Sequence, residues 1–353
     1  MKRVLMLMSS GVDSTVAAFL LKNQGYEVIG LTMQMSEQSD CLSDSGSTKS
    51  CCGVMDSIIC RRVCRKLEIP HYVLNMKEKF KEKVIDPFIS DYLTGQTPTP
   101  CVNCNTFIKF DEAFKFADEH GCDYIATGHY ARIENGQLYR SMNPQKDQTY
   151  FLANVPKKRL SQMLFPLNSF ETKEEVRGIA RKNGLENAEK RESQEICFVP
   201  NDDYRQFLKD NSDELPESGN FIDESGNILG EHSGIHNYTI GQRKNTVNKK
   251  FVIRISHSNN EIVLSDKSLN SRTIIVRNFN WLLDDTTSQN DKVLTVKLRS
   301  GKLETHCRIK TNCGDILVLE AEEGYFVNPT KGQNVVLYDN ELVIGGGTLY
   351  EAI

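Results

Sequence analysis

Two kinds of residue in this chain can do chemistry: a run of small hydroxyl-bearing residues near the start, and cysteines that come in close groups. The run is Ser9-Ser10-Gly11-Val12-Asp13-Ser14-Thr15. It follows an apolar stretch, Val4 to Met8, and precedes the helical apolar pattern of Val16, Ala17, Phe19 and Leu20. A strand that enters a tight turn at a helix N-terminus presents unpaired backbone N–H groups and the positive end of a helix dipole, so it is built to hold an anion. Small side chains let a phosphate approach the main chain, and no Walker-type lysine is present in the turn. The plainer alternative is an ordinary strand-to-helix connection with Ser and Asp as caps.

Eleven cysteines, odd in number and clustered, point to thiol or metal chemistry more than to a disulfide framework. Cys101 and Cys104 stand in Thr97-Pro98-Thr99-Pro100-Cys101-Val102-Asn103-Cys104-Asn105, a proline-stiffened loop expected just before a helix starting near Thr106. A thiol beside a helix N-terminus ionises more easily, and the thiolate is the form that attacks or binds metal. One such pair leaves both uses open. Cys60 and Cys64 fall at i and i+4 of a helical pattern and read as small apolar core residues or as a second metal pair. Cys51 and Cys52 fall in the small, polar stretch Ser36 to Gly53, expected as a flexible loop over the nucleotide site. Cys197, in Ile196-Cys197-Phe198-Val199, reads either as a buried strand cysteine or as a reactive one.

These residues need elements to position them. Strand patterns at Val4 to Met8, Val28 to Met33, His71 to Leu74 and Tyr124 to Thr127 alternate with helical patterns at Ser14 to Asn23, Met55 to Leu67 and Thr106 to His120. That alternation predicts a doubly wound parallel sheet, an α/β nucleotide-binding domain whose ligands sit beyond the carboxyl ends of the strands. The Ser9 to Thr15 turn and Gly128-His129 both fall at such ends. A mostly helical connector, with Lys173 to Lys182 and Asp203 to Lys209, leads through the Gly/Asp/Glu-rich stretch Glu214 to Glu231. From about residue 250 strands and turns predominate, including Phe251 to Ile255, Glu261 to Ser265, Thr273 to Val276 and Leu342 to Ile344, which suggests a compact β-barrel.

Composition bounds the partners. No apolar run approaches the roughly 20 residues that span a bilayer, and the first residues lack a cleavage pattern, so a cytoplasmic protein without membrane contact is expected. A net charge of −4 gives no global nucleic-acid field, and RNA recognition would rest on local basic groups such as Lys157-Lys158-Arg159 and Arg243-Lys244.

Over nearly its whole length the chain resembles the tRNA-specific 2-thiouridylases, members of the PP-loop ATP pyrophosphatases. The residues that carry the resemblance are Ser9 to Thr15, Thr97 to Asn105 with Ile108-Lys109-Phe110, Ala126 to Arg132, Lys146 to Leu152, Ile196-Cys197-Phe198, Thr239 to Arg243 and Gly345-Gly346-Gly347. The resemblance implies a PP-loop catalytic domain over 1–200, a central tRNA-binding connector domain over 201–272 and a C-terminal β-barrel over 273–353. It implies sulfur transfer to C2 of the wobble uridine of tRNAs for Lys, Glu and Gln, with ATP cleaved to AMP and pyrophosphate. Adenylating the uracil oxygen makes it a leaving group that a sulfur nucleophile displaces.

By the same resemblance Leu7, Met8, Ser9, Ser10, Gly11, Val12, Asp13 and Ser14 hold ATP, with Met33 and Gly128 flanking the adenosine, and Asp13 is a candidate Mg²⁺ ligand. Cys197 receives sulfur as a persulfide from a cysteine desulfurase or sulfur-relay protein, and Cys104 resolves the intermediate, leaving a Cys104–Cys197 disulfide to be reduced. Thr99, Pro100 and Cys101 match the pocket for the flipped target base, and Lys146, Asp147 and Gln148 match a tRNA-contacting run. Two positions depart from the family. Ser10 stands where Gly is usual, which requires negative φ and bears on ATP affinity. Cys101 stands where many members carry Asp, and Cys101, Cys104 and Cys197 together make the ligand set of an iron–sulfur cluster with one open iron, an alternative route to the same thiolation. Outside this chemistry, the alternatives are a small-molecule adenylating ligase of the PP-loop type, such as argininosuccinate synthase, and an RNA-binding module on a remnant nucleotide fold.

Overall fold

The computed structural model describes residues 1–36, 53–190, 196–284, 289 and 292–353. Cys51 and Cys52 lie outside the described residues. The chain divides into two compact units, one made of Met1–Val84, Cys101–Asp202 and Glu341–Val343, the other of Ile85–Pro100, Asp203–Asn340 and Ile344–Ile353.

The first unit is built on a five-stranded parallel sheet. Its strands are β1 (Arg3–Leu7), β2 (Glu27–Gln34), β3 (His71–Asn75), β4 (Tyr124–Ala126) and the short Met163–Leu164, in the order β3-β2-β1-β4-Met163–Leu164. Val4, Leu5 and Met6 are wholly buried, as expected of a strand covered on both faces. Helices α1 (Val12–Asn23) and α2 (Val54–Lys66) make the crossovers from β1 to β2 and from β2 to β3. The chain grows outward on one side of β1 and then returns to its other side as β4. The strand order therefore reverses between β1 and β4, and the crevice at their carboxyl ends is where such sheets receive ligands. Cys60 and Cys64 are buried in the core with Val16, Val63 and Leu67. Burial pushes their thiols up to about 11 and about 12, so both are inert packing residues.

In the second unit two corrections to the sequence reading arise. Phe251–Ser256 and Glu261–Ser265 do not belong to the barrel: they form a separate four-stranded sheet with Gly219–Ile222 and Ile228–His232, over a core of Phe221, Ile235, Tyr238, Val252, Ile262 and Leu264. The stretch Glu214 to Glu231 is accordingly no mere connector. Its polar composition belongs to a hairpin turn, in which the Asp223 carboxylate accepts the N–H groups of Ser225 and Asn227 at 2.9 and 2.8 Å.

The barrel itself is six-stranded, in the order Thr273–Trp281, Ile316–Ala321, Thr305–Cys313, Leu294–Lys297, Asn334–Asp339, Leu342–Ala352, and the last strand pairs back to the first. Thr305–Cys313 is absent from the sequence reading because only Cys307 and Ile309 of its nine residues are buried, which leaves little apolar alternation to see. Gly345 and Gly347 face a register shift in Thr273–Trp281; a Cβ on Gly345 would stand 2.2 Å from the Asn280 carbonyl.

Candidate active site

β1 ends at Leu7, and the Met8 amide donates to the Leu31 carbonyl at 2.7 Å, so the chain leaves the sheet only at Ser9. The turn is then knitted by its own hydroxyls. Ser14 Oγ donates to the Ser9 carbonyl at 2.7 Å and accepts the Ser9 N–H at 3.1 Å, with the Ser9 hydroxyl also 3.1 Å away. Gly11 occupies the cap position of α1 and has no side chain to cap it, which leaves the first-turn amides available to an anion.

Gly128, just past β4, packs directly on that turn. A Cβ there would lie 2.8 Å from the Ser14 amide nitrogen and 2.9 Å from the Asp13 carbonyl carbon, so only glycine allows the two backbones to approach this closely. Between them opens a cavity whose lining includes the polar or small residues Ser9, Asp13, Ser14, Gly128 and Lys109 and the apolar residues Leu7, Met8, Leu31, Met33 and Met35. The lining thus offers hydroxyls and a cation together with apolar surface. His129 also lines it; burial first, and the Lys109 charge second, hold its imidazole down at about 3, so it is a neutral partner of the Thr127 hydroxyl at 2.8 Å.

Asp13 accepts from the Tyr130 hydroxyl at 3.0 Å and pairs with Lys173, the first residue of the helix Lys173–Lys182. Ser10 is buried, and its hydroxyl donates to Asp56 while accepting from Lys190. Its φ is not positive, so the side chain is borne without strain.

The cysteines sit in three environments. Helical backbone begins at Pro100, earlier than the expected start near Thr106, and Cys104–Phe110 is a wide, π-type stretch that runs into the helix Asp111–Glu119. Wide turns of this kind recur at functional sites. Cys101 is therefore exposed on the first helical turn, while Cys104 is buried, its sulfur 4.0 Å from that of Met35 on the cavity wall. Cys197 is half-buried in a turn closed by Val199 N–H to Ile196 C=O at 3.1 Å, and so is not a strand residue.

Three family models match the chain in succession: the tRNA methyl transferase HUP domain over residues 2–201, the tRNA methyl transferase PRC-barrel domain over 205–266 and the aminomethyltransferase beta-barrel domain over 271–349. The tRNA-specific 2-thiouridylase MnmA of Clostridioides difficile (strain 630) is 44% identical over 363 residues, spanning 100% of this chain and 99% of that protein. The enzymes of the same name from Geotalea uraniireducens (strain Rf4) and Rickettsia typhi (strain ATCC VR-144 / Wilmington) are each 40% identical, over 100% and 98% of this chain and 96% and 98% of theirs.

The chain belongs to the tRNA-specific 2-thiouridylase family. It is thereby a tRNA-uridine 2-sulfurtransferase with an ATP-binding PP-loop fold, and full-length membership displaces the ligase and remnant-module alternatives. No helix among the described residues is long and apolar enough to cross a membrane.

In this thiouridylase, Leu7, Met8, Ser9, Asp13, Ser14, Met33 and Gly128 line one cavity, whereas Ser10, Gly11 and Val12 do not line it. Gln148, expected to touch tRNA, lines that cavity and accepts the Tyr130 N–H at 2.9 Å. Asp147 organises its own loop by accepting the Ser141 N–H at 3.0 Å, and Lys146 is partly exposed in the same loop. Thr99 and Pro100 fall in the second unit, where the Thr99 hydroxyl accepts the Asn334 N–H at 3.2 Å, while Cys101 falls in the first. Among the described residues no three His, Cys, Asp or Glu side chains gather as a metal-holding group, Cys101, Cys104 and Cys197 included. Arg159, read from sequence as a phosphate-contacting group, is committed to Asp118 at 2.6 Å.

Lys173, Tyr130 and Lys109 were beyond the motif reading as site residues. The first two are tied to Asp13 across more than a hundred residues of sequence, a contact no local pattern signals. Lys109 lies within a run quoted for the resemblance, and only its place on the cavity wall gives it a role.

Proposed function

We propose that the cavity beside the Ser9 to Thr15 turn binds ATP and that the enzyme adenylates C2–O of the wobble uridine in tRNAs for Lys, Glu and Gln. The observation that carries this reading is the cavity's mixed lining, hydroxyls and a cation together with a methionine-rich apolar surface, beside the helix N-terminus. Backbone N–H groups in the first turn of α1, at Asp13 and Ser14, receive the phosphates, and the apolar residues Leu31, Met33 and Met35 accept the adenine ring. Lys109 adds the positive charge that a Walker lysine supplies elsewhere. Mg²⁺ would supply further charge neutralisation, and Asp13, the only carboxylate among the described residues that line the cavity, would be the residue to hold it, with its oxygens also accepting from Tyr130 and Lys173.

Cys197 carries the sulfur. Its half-buried turn position suits a residue that must accept a sulfane sulfur from a partner's persulfide and then present it. The terminal sulfur attacks C2 of the adenylated base and AMP leaves with the former carbonyl oxygen. The Cys104 thiolate then attacks Sγ of Cys197, freeing the 2-thiouridine and leaving a Cys104–Cys197 disulfide that a dithiol reductant returns to two thiols. The target base must be flipped to meet them, with Thr99, Pro100 and Cys101 as its pocket and Lys146 as a backbone contact.

The test is AMP and pyrophosphate formation on adding tRNA that lacks wobble modification. Asp13→Ala and Ser14→Ala are expected to reduce both products to background while keeping the fold. Unchanged AMP formation in both variants would remove the ATP assignment.

A further inference from the structure

The turn holds one side chain that the chemistry above does not use. Ser10 is 2% exposed and does not line the cavity, and neither do the side chains that its hydroxyl meets. Its hydroxyl bridges the Asp56 carboxylate and the Lys190 ammonium, which are themselves paired at 2.8 Å. The second oxygen of Asp56 accepts the Gly53 N–H at 3.0 Å, at the head of α2. Beside this group the Asn187 amide donates to the carbonyls of Ser10 and Gly11 at 2.9 and 3.1 Å and to the Thr15 hydroxyl at 2.7 Å. Holding those two carbonyls on Asn187 fixes the orientation of the two peptide planes that lead into α1, because a trans peptide is planar.

We propose that Ser10, Asp56 and Lys190 are a positioning network that fixes the turn in its phosphate-receiving shape and sets ATP affinity; this rests on the reading of the turn as the ATP site. Two physical arguments support it. A serine anchored through its hydroxyl has fewer backbone states than a glycine and so loses less freedom when ATP orders the turn. Asp56 is a buried carboxylate one hydrogen bond from a phosphate-binding backbone, and left alone it would repel the anion. Lys190 cancels that charge and leaves the network neutral.

The charge argument gives the test a sign that a purely structural role lacks. ATP dissociation constants are measured on the full chain, with KM for ATP and kcat of tRNA-dependent AMP formation and with thermal unfolding of each variant. Ser10→Gly is expected to raise Kd and KM for ATP about tenfold, the usual size of a lost hydrogen bond to a charged group, with kcat at saturating ATP changed less than about twofold. Lys190→Met is expected to raise Kd further, because it uncovers the Asp56 charge, and adding Asp56→Asn to Lys190→Met is expected to restore Kd to within about threefold of wild type. Wild-type Kd in folded Ser10→Gly, or a double variant as weak as Lys190→Met alone, overturns the proposal and leaves the ATP site standing. A wild-type chain that binds no ATP, or that binds it equally after Asp13→Ala, overturns the ATP reading and the proposal with it.

Discussion

Between Ser9 and Thr15 every polar side chain is held: Ser9 by Ser14, Ser10 by Asp56 and Lys190, Asp13 by Tyr130 and Lys173, and Thr15 by Asn187. The cysteines proposed to handle sulfur are held otherwise. Cys104 is sealed against Met35, and Cys197 sits half-buried in a turn beside the edge contact of Phe198 with Phe80 at 5.6 Å. Preorganised dipoles stabilise charge only if they need not move when it develops, so an adenylating turn benefits from rigidity. A sulfur carrier must meet a donor, a base and a second thiol in succession, and thiol exchange runs through contact with each. In the proposed mechanism, the contrast separates one half of the reaction that the fold assembles beforehand from one that depends on exposure of a single sulfur.

The largest expected effect breaks the contrast on the sulfur side. Cys197→Ser should bind ATP and form AMP yet transfer no sulfur, because a serine hydroxyl cannot carry a persulfide. Thiolated nucleoside analysis after a single turnover, alongside AMP release, checks it, and normal thiolation would leave the proposed carrier without a role.

Gly128→Ala breaks the other half. A methyl group 2.8 Å from the Ser14 nitrogen must push the turn away from β4, and a displacement of that order typically costs about a hundredfold in rate. Tm should fall modestly while KM for ATP rises. A variant with wild-type AMP kinetics would show that the turn tolerates displacement.

A smaller effect concerns acid. Burial holds His129 down at about 3, and burial with the Arg61 charge holds His71 down at about 4, whereas unfolded imidazoles titrate near 6.5. The unfolded chain therefore binds more protons below that value, so stability is full above about pH 6.5 and falls as pH drops toward 4. Each histidine contributes a slope of up to about 1.4 kcal/mol per pH unit. Denaturant unfolding between pH 7 and 5 should show the loss, and His71→Gln should flatten it. An unchanged slope in that variant would assign the acid sensitivity elsewhere.

The smallest change is expected from Cys101→Ser. Cys101 is exposed on the first helical turn, and the described thiols do not gather around a metal, so the variant should keep most of its thiolation activity with or without anaerobic cluster reconstitution. Activity that appears in wild type only after reconstitution and never in the variant would replace the persulfide route with a cluster.

Much of this protein is legible in the sequence because its signals are local. The apolar run Val4 to Met8, the hydroxyl-rich turn and the helical pattern after it specify a strand, a turn at a helix N-terminus and a helix from neighbouring residues alone. The pattern of alternating strands and helices likewise gives a parallel sheet, and burial on both faces makes those strands continuous apolar runs. What the sequence left open depends on residues far apart in the chain. Whether Phe251–Ser256 joins a barrel or its own sheet is decided by its partners: Glu261–Ser265, which in turn pairs in parallel with Gly219–Ile222. A turn-rich, polar hairpin carries too little hydrophobic periodicity to announce them. The side chain of Ser10 reads as an intrusion on a phosphate site until tertiary packing supplies Asp56, 46 residues away, and Lys190, 180 residues away, to receive it outside the cavity lining. Local pattern chose the elements and the residue types of the site; long-range contact chose which way each side chain faces, because hydrogen-bond partners and charge compensation are properties of neighbours in space.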